Sequence, residues 1–309
     1  MAHFFLALKT VLPLFLVILA GLVFSRTKAA STTWIDILNK YALWIGFPAL
    51  VIASLMHIEL DGQSYSRLIF TNSVYIVICM FLAFPIAGIF KLSHRVKRSL
   101  FLILSFGNVA YLGIPVLNNA FGEPVLPIAA IISAVYIFWL LTLGIILIEI
   151  NGEEKIHTKK LLLGLMKNPL LISVFVSLAI VYFNIKLPEI AEKTILLFSN
   201  SVTAVVLFSL GIFLGLHKIG NPKDWRNALV LSIFTILVLP FVFYMAIINT
   251  GMDSMQLKAT ILDAAMPLGL TPYALSVQYN LEVPLVSRIV VLATLLAVFV
   301  IPFWMVVLG

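Results

Sequence analysis

Apolar stretches long enough to cross a bilayer follow one another along the whole of this 309-residue chain, separated by short polar connections. A span needs about 20 mostly apolar residues. Ten such stretches fall at 4–25, 37–57, 68–90, 98–120, 124–149, 165–184, 190–216, 227–249, 255–280 and 284–308. In lipid every backbone N–H and C=O must be paired inside the protein, so stretches like these fold as helices. Charged residues make up 11% of the chain, against about 25% in a soluble domain. The expected fold class is therefore an all-α integral membrane protein with ten transmembrane helices. The N-terminal "MAHFFLALKTVLPLFLVILAGLVFS" reads as the first span rather than a signal peptide, because Lys9 interrupts it and further spans follow.

The net charge is +7, and its distribution is what membrane insertion demands. Fifteen of the 20 Lys and Arg lie in connections 1, 3, 5, 7 and 9 or at their edges, and five lie on the other side. The positive-inside rule puts the odd connections in the cytoplasm, with both termini outside the cell (inner or plasma) membrane. These charges read as topology and not as a nucleic-acid surface. Cys79 is the single cysteine, which leaves no internal disulfide and no cysteine-based metal site. His3, His57, His94, His157 and His217 lie near span ends without metal-ligand spacing, so no metal and no cofactor is expected. The chain has no phosphate-loop motif for ATP hydrolysis, no G-x-S-x-G and no intramembrane acid pair, which speaks against an enzyme.

Prolines recur at one offset. Pro13 and Pro169, Pro85 and Pro240, and Pro115 and Pro272 are separated by 155 to 157 residues. That offset maps five spans in 1–150 onto five in 165–309, across a cytoplasmic connection at 151–164. An odd number of spans per half means that the halves insert with opposite topology, the inverted-repeat plan of secondary transporters.

Two spans are interrupted at corresponding places. "SFGNVAYLGIPVLNNAFG" (105–122) contains Gly107, Gly113 and Pro115, and "AAMPLGLTPYAL" (264–275) contains Pro267, Gly269 and Pro272. Such a pair is either two proline kinks or a binding site between half-helices. Its recurrence in both halves favours the site. The half-helices expected to start near Val116 and Tyr273 would aim their unpaired N–H groups at the crossing, where an anion is favoured.

"GNVAYLGIPVLNNAFG" (107–122) and "AMPLGLTPYALSVQYNLEVP" (265–284) resemble the fourth- and ninth-span signatures of the auxin efflux carrier family, which includes plant auxin transporters and bacterial dicarboxylate permeases. "NKYALWIGFPALVIASL" (39–55) and "KNPLLISVFVSLAI" (167–180) look like that family's second span and the start of its second half. The chain lacks the long central loop of the large plant members, and it differs from auxin carriers at Leu268 and Gln278. The resemblance implies a bile-acid-symporter-like fold in which helices 4 and 9 are broken and cross. It implies a scaffold and dimer side of spans 1, 2, 6 and 7, and an elevator-like moving domain of spans 3–5 and 8–10. A homodimer follows from the same resemblance.

No Lys or Arg falls inside a span near mid-depth, so a carboxylate would be held by amides and hydroxyls. Asn108, Asn118 and Asn119 in span four and Thr271, Tyr273 and Ser276 in span nine are the candidates, with Ser199, Asn200 and Ser201 facing them from span seven. Asn118 and Asn119 have an alternative role as helix caps. Asp263 is the one acid placed well inside a span. Intramembrane acids are costly and usually functional, so it is the candidate for proton coupling. Alternatively span nine starts later and Asp263 is a hydrated interfacial group. The expected function is a secondary-active carrier of a small organic anion, coupled to protons, to sodium or to neither. The alternatives are a sodium-coupled bile-acid-type symporter and, on the same scaffold, a sensor or channel.

Overall fold

The computed structural model describes residues 2–56, 65–152, 163, 166–183, 185–216 and 225–309. Most of the expected 151–164 connection lies outside these residues.

The described residues form helices and no strand. The first half contains α1 (Ala2–Phe24), then α2 (Thr32–Tyr41) running through a π-helical stretch, Ala42–Gly46, into α3 (Phe47–Leu55). α4 (Ser66–Ile89) and α5 (His94–Ile103) follow. After a break, the π-helical stretch Val109–Gly113 continues into α6 (Ile114–Phe121). α7 (Leu126–Trp139) then runs through Leu140–Gly144, also π-helical, into α8 (Ile145–Ile150). The second half contains α9 (Pro169–Tyr182), α10 (Glu189–Leu216) and α11 (Trp225–Ile233), which passes through a π-helical stretch, Phe234–Val238, into α12 (Leu239–Ile247). α13 (Ser254–Ala264), α14 (Leu270–Gln278) and α15 (Val283–Leu308) complete the chain.

Among the described residues, six helical stretches are long and apolar enough to cross a membrane: Thr32–Ser54, Ser66–Ile89, Glu123–Ile150, Glu189–Leu216, Trp225–Ile247 and Val283–Leu308. The first helix is bent by 50° between Phe4–Thr10 and Leu12–Phe24, and as one span it makes a seventh. The other three expected spans are not single long helices. Residues 165–184 hold α9, and 98–120 and 255–280 are each broken in two.

Local signals explain where elements begin and end. The Ser93 hydroxyl accepts from Val96 N at the start of α5, and Asp253 Oδ1 accepts from Met255 N and Gln256 N at the start of α13. Such caps satisfy N–H groups that a helix start leaves unpaired. Gly122, at φ 79°, ends α6 in a conformation that side chains disfavour.

α1, α2–α3, α9 and α10 pack on one another, and α4, α5, α7, α8 and α11 to α15 form the other set of contacts. α1 also lies against α15 and α6. With no water to expel between helices, association depends on close van der Waals contact. Gly21 and Gly211 supply it between α1 and α10. A Cβ on Gly211 would stand 2.0 Å from the Ile18 carbonyl oxygen, and one on Gly21 2.2 Å from that of Phe208.

Candidate functional site

The two broken spans meet. After α5, residues 104–108 leave the helix; after α13, residues 265–269 do the same. The two extended pieces run antiparallel, with Gly107 bridged to Leu268, and Asn108 N donates to the Pro267 carbonyl across 2.7 Å. They can approach because Gly107 has no side chain: a Cβ there would lie 2.9 Å from the Met266 carbonyl oxygen.

The second break contains Pro267 and Gly269, as the sequence suggests, but the first lies earlier than Pro115 suggests. The first half-helix begins at Val109 rather than near Val116, and Gly113 and Pro115 are both inside it. The Asn108 carbonyl accepts from both Leu112 N and Gly113 N, at 3.1 and 2.8 Å, and the bond to Gly113, five residues on, makes this a π turn. The second half-helix begins at Leu270, just after the extended Gly269, and Pro272 sits in its first turn. Proline is tolerated there because the first N–H groups of a helix have no intrahelical partner. Pro115 and Pro272 thus mark helix already under way.

Between the crossing and α3 lies a cavity of about 120 Å³. Its polar lining is Asn108, Tyr111, Asn168 and Thr271, its apolar wall includes Phe47 and Leu140, and no lining residue is charged. Asn108 is 3% exposed, and its Nδ2 has no hydrogen-bond partner. A buried donor left unmade costs about 1–3 kcal/mol. The first turns from Val109 and Leu270 add N–H groups without intrahelical partners. The arrangement offers donors and no cation, which suits one carboxylate held by neutral groups.

Each half-helix also sets a tyrosine against a phenylalanine of the other packing group. Tyr111 lies edge-on to Phe47 with ring centroids 5.0 Å apart, and Tyr273 lies edge-on to Phe213 at 4.8 Å.

Asp263 is fully buried, and neither carboxylate oxygen has a hydrogen-bond partner. Asp263 is therefore not a hydrated group in this structure. The carboxylate lies against Gly113, where a Cβ would stand 2.2 Å from Oδ1. One turn earlier on α13, Thr260 Oγ1 accepts from Asn72 Nδ2 at 3.1 Å. Tyr136, also buried with an unpartnered hydroxyl, lies within electrostatic reach of Asp263.

Other candidates are placed away from the crossing. Asn118 and Asn119 are exposed at the far end of α6. The Asn118 carbonyl accepts from Gly122 N, and Asn119 Nδ2 donates to the Thr10 carbonyl. The first is an ordinary backbone bond of the helix and the second ties α6 to α1, so neither bond is a side-chain cap of α6; the half-helix starts earlier and carries both residues past the crossing. Ser199, Asn200 and Ser201 do not line the cavity. The Ser201 hydroxyl is 2.6 Å from that of Tyr41, and Asn200 is exposed. The Ser276 hydroxyl donates to the Tyr273 carbonyl within α14. Asn168, absent from the sequence candidates, lines the cavity at the start of α9, where its Oδ1 accepts from Leu171 N.

The model of the family described as "Membrane transport protein" matches residues 6–305. The chain belongs to this family, that of the auxin efflux carriers. Similar members include an uncharacterized transporter of Methanocaldococcus jannaschii, 24% identical over 87% of this chain and 88% of its own. Another, from Methanothermobacter thermautotrophicus, is 25% identical over 97% of this chain and 98% of its own. Auxin efflux carrier component 1 of Arabidopsis thaliana is 28% identical over 41% of this chain and 20% of its own length. The protein is thus a multi-pass membrane transporter, and the resemblance in the two broken-span motifs is that of a true family member.

Proposed function

We propose that this transporter is a secondary-active carrier that moves a small organic carboxylate by an elevator-like alternation of access. The observation that carries the reading is the unpartnered, buried Asn108 amide at a cavity bounded by the first turns of two half-helices. It needs an acceptor, and a carboxylate oxygen is one that the flanking N–H groups also favour. The plant relatives are named for efflux of auxin, and the uncharged, largely apolar wall of the cavity is compatible with a carboxylate on a small organic body.

In this reading the chain forms ten spans in two inverted five-helix repeats. Support comes from the paired breaks, whose extended pieces meet at Gly107 and Leu268. Spans 1, 2, 6 and 7 are the scaffold, on which two copies dimerise, and spans 3–5 and 8–10 move. The odd connections face the cytoplasm and both termini face outward. Asp263 is the group that takes up a coupled proton. The alternative of sodium coupling draws on the same buried oxygens, those of Asp263 and Asn72.

The test is uptake into proteoliposomes of labelled malate, malonate, succinate and indole-3-acetate, under imposed pH, sodium or voltage gradients. Saturable uptake of at least one anion is expected. Uptake of none of them, with intact folded protein, overturns the reading.

A further inference from the structure

The anion site and Asp263 lie on opposite sides of one short piece of backbone. Gly113 N donates to the Asn108 carbonyl at 2.8 Å. At the point where a Cβ on Gly113 would sit, Asp263 Oδ1 is 2.2 Å away and the Asn108 carbonyl oxygen 3.5 Å away. Any side chain at 113 would push the carboxylate off this turn. Asn108, at the other end of the turn, is a lining residue of the cavity, and its amide Nδ2 is buried without a partner.

Among the described residues no side chain pairs with the carboxylate, both of whose oxygens are buried without a hydrogen-bond partner. Tyr136 on α7 is the titratable side chain that faces it. α4 brings Asn72, bonded to Thr260, and Gly113 stands for the π-helical stretch. α15 contributes Thr294, whose buried hydroxyl is unpartnered. α6 and α12 carry no charged residue, and the turn Glu123–Val125 carries the exposed acid Glu123. On α13 itself, Lys258 is turned to the Gly309 carbonyl.

An ionised Asp263 and a bound anion would be two like charges in a poorly screened interior. At an effective dielectric near 20 and a separation of roughly 8 Å, that repulsion corresponds to about a tenfold to hundredfold loss of affinity. A neutral Asp263 removes it. We propose that proton and anion bind cooperatively and cross together, and that Gly113 is the positioning residue that holds the Asp263 carboxyl against the anion-binding turn. The proton comes from solvent on one side and returns to solvent on the other, with no bond to the anion made or broken. Linkage is reciprocal, so the anion must promote proton uptake by the same factor.

This inference rests on the anion site proposed above, and the experiment separates the two. Binding of malate, malonate, succinate and indole-3-acetate to the purified full chain is measured by calorimetry from pH 6 to pH 9. The set is repeated with Asp263→Asn, Gly113→Ala and added sodium. Wild-type affinity is expected to fall by at least about tenfold as pH rises, with close to one proton taken up per anion bound. Asp263→Asn should hold its low-pH affinity throughout, apart from the anion's own titration, which both proteins share. Gly113→Ala, if it folds, should bind at low pH with a flattened pH profile. Binding with identical pH profiles in wild type and Asp263→Asn overturns the coupling and leaves the anion site standing. So does an affinity set by sodium and not by pH. Failure of the wild type to bind any of the four anions at any pH overturns the anion site itself.

Discussion

Asn108 donates its backbone N–H to the Pro267 carbonyl across 2.7 Å, joining two broken helices 159 residues apart in the chain. That single contact places one residue of each half at the same spot. The crossing bond uses only backbone, and the Asn108 amide Nδ2 stays without a partner in a residue that lines the cavity.

The close approach depends on Gly107, whose missing Cβ would lie 2.9 Å from the Met266 carbonyl oxygen. Gly107→Ala should push the two extended pieces apart and destabilise the protein by about 1–3 kcal/mol, the usual cost of overpacking. Thermal unfolding in detergent should show a lower midpoint, with anion binding weakened in parallel. An unchanged midpoint would mean that the crossing tolerates separation.

The breaks are held by the pairing of 104–108 with 265–269, so the prolines should be dispensable for them. Pro115→Ala and Pro272→Ala should change thermal stability little and leave anion binding intact. Pro272→Ala even restores an N–H in the first turn of α14, close to the site. Loss of binding in both variants would return the break to the prolines.

The Tyr273–Phe213 contact joins the two packing groups beside the crossing. Phe213→Ala should lower the transport rate while changing anion affinity little, because the edge-on ring pair is worth only about 0.5–1.5 kcal/mol and lies outside the cavity lining. Parallel measurement of uptake and equilibrium binding checks this. A tenfold fall in affinity would assign Phe213 to the site.

Orientation is checked by accessibility. Single cysteines at Lys28 and Ser93 should be labelled by an impermeant reagent from the cytoplasm only, and a tag after Gly309 from outside only. A cytoplasmic tag would contradict the ten-span count and the inverted repeat together.

The membrane class, the helical stretches and the pairing of two broken spans are legible in the sequence because each follows from long apolar runs with Gly and Pro inside them. The second break falls on Pro267 and Gly269, where it is expected, but the position of the first is not legible. Prolines are the visible signal, but they settle in first turns where their missing N–H costs nothing, as Pro272 does. The true departure at Leu104–Asn108 has only Gly107 to announce it. Moving the half-helix start from Val116 to Val109 carries Asn118 and Asn119 about two turns beyond the crossing, where the Asn119 amide ties α6 to the Thr10 carbonyl of α1. Asp263 is legible as an acid in a span, but its burial depends on Gly113, 150 residues earlier, and only the packing of α13 on the half-helix reveals it. Asn168 reads as an ordinary cap before Pro169. Its place in the cavity comes from the folding of α9 against α3 and α7.

The central claim is that a carboxylate binds at the crossing through the Asn108 amide. The most direct measurement is the rise in thermal midpoint of wild type and Asn108→Ala with increasing malate, malonate, succinate or indole-3-acetate, read as binding linkage. Without anion, Asn108→Ala should be as stable as wild type or slightly more so, since it removes an unpartnered buried donor. The anion that stabilises wild type should bind the variant roughly tenfold to hundredfold more weakly, the worth of a hydrogen bond to a charged group. Equal stabilisation of both proteins by the same anion would place the binding site elsewhere and contradict the account.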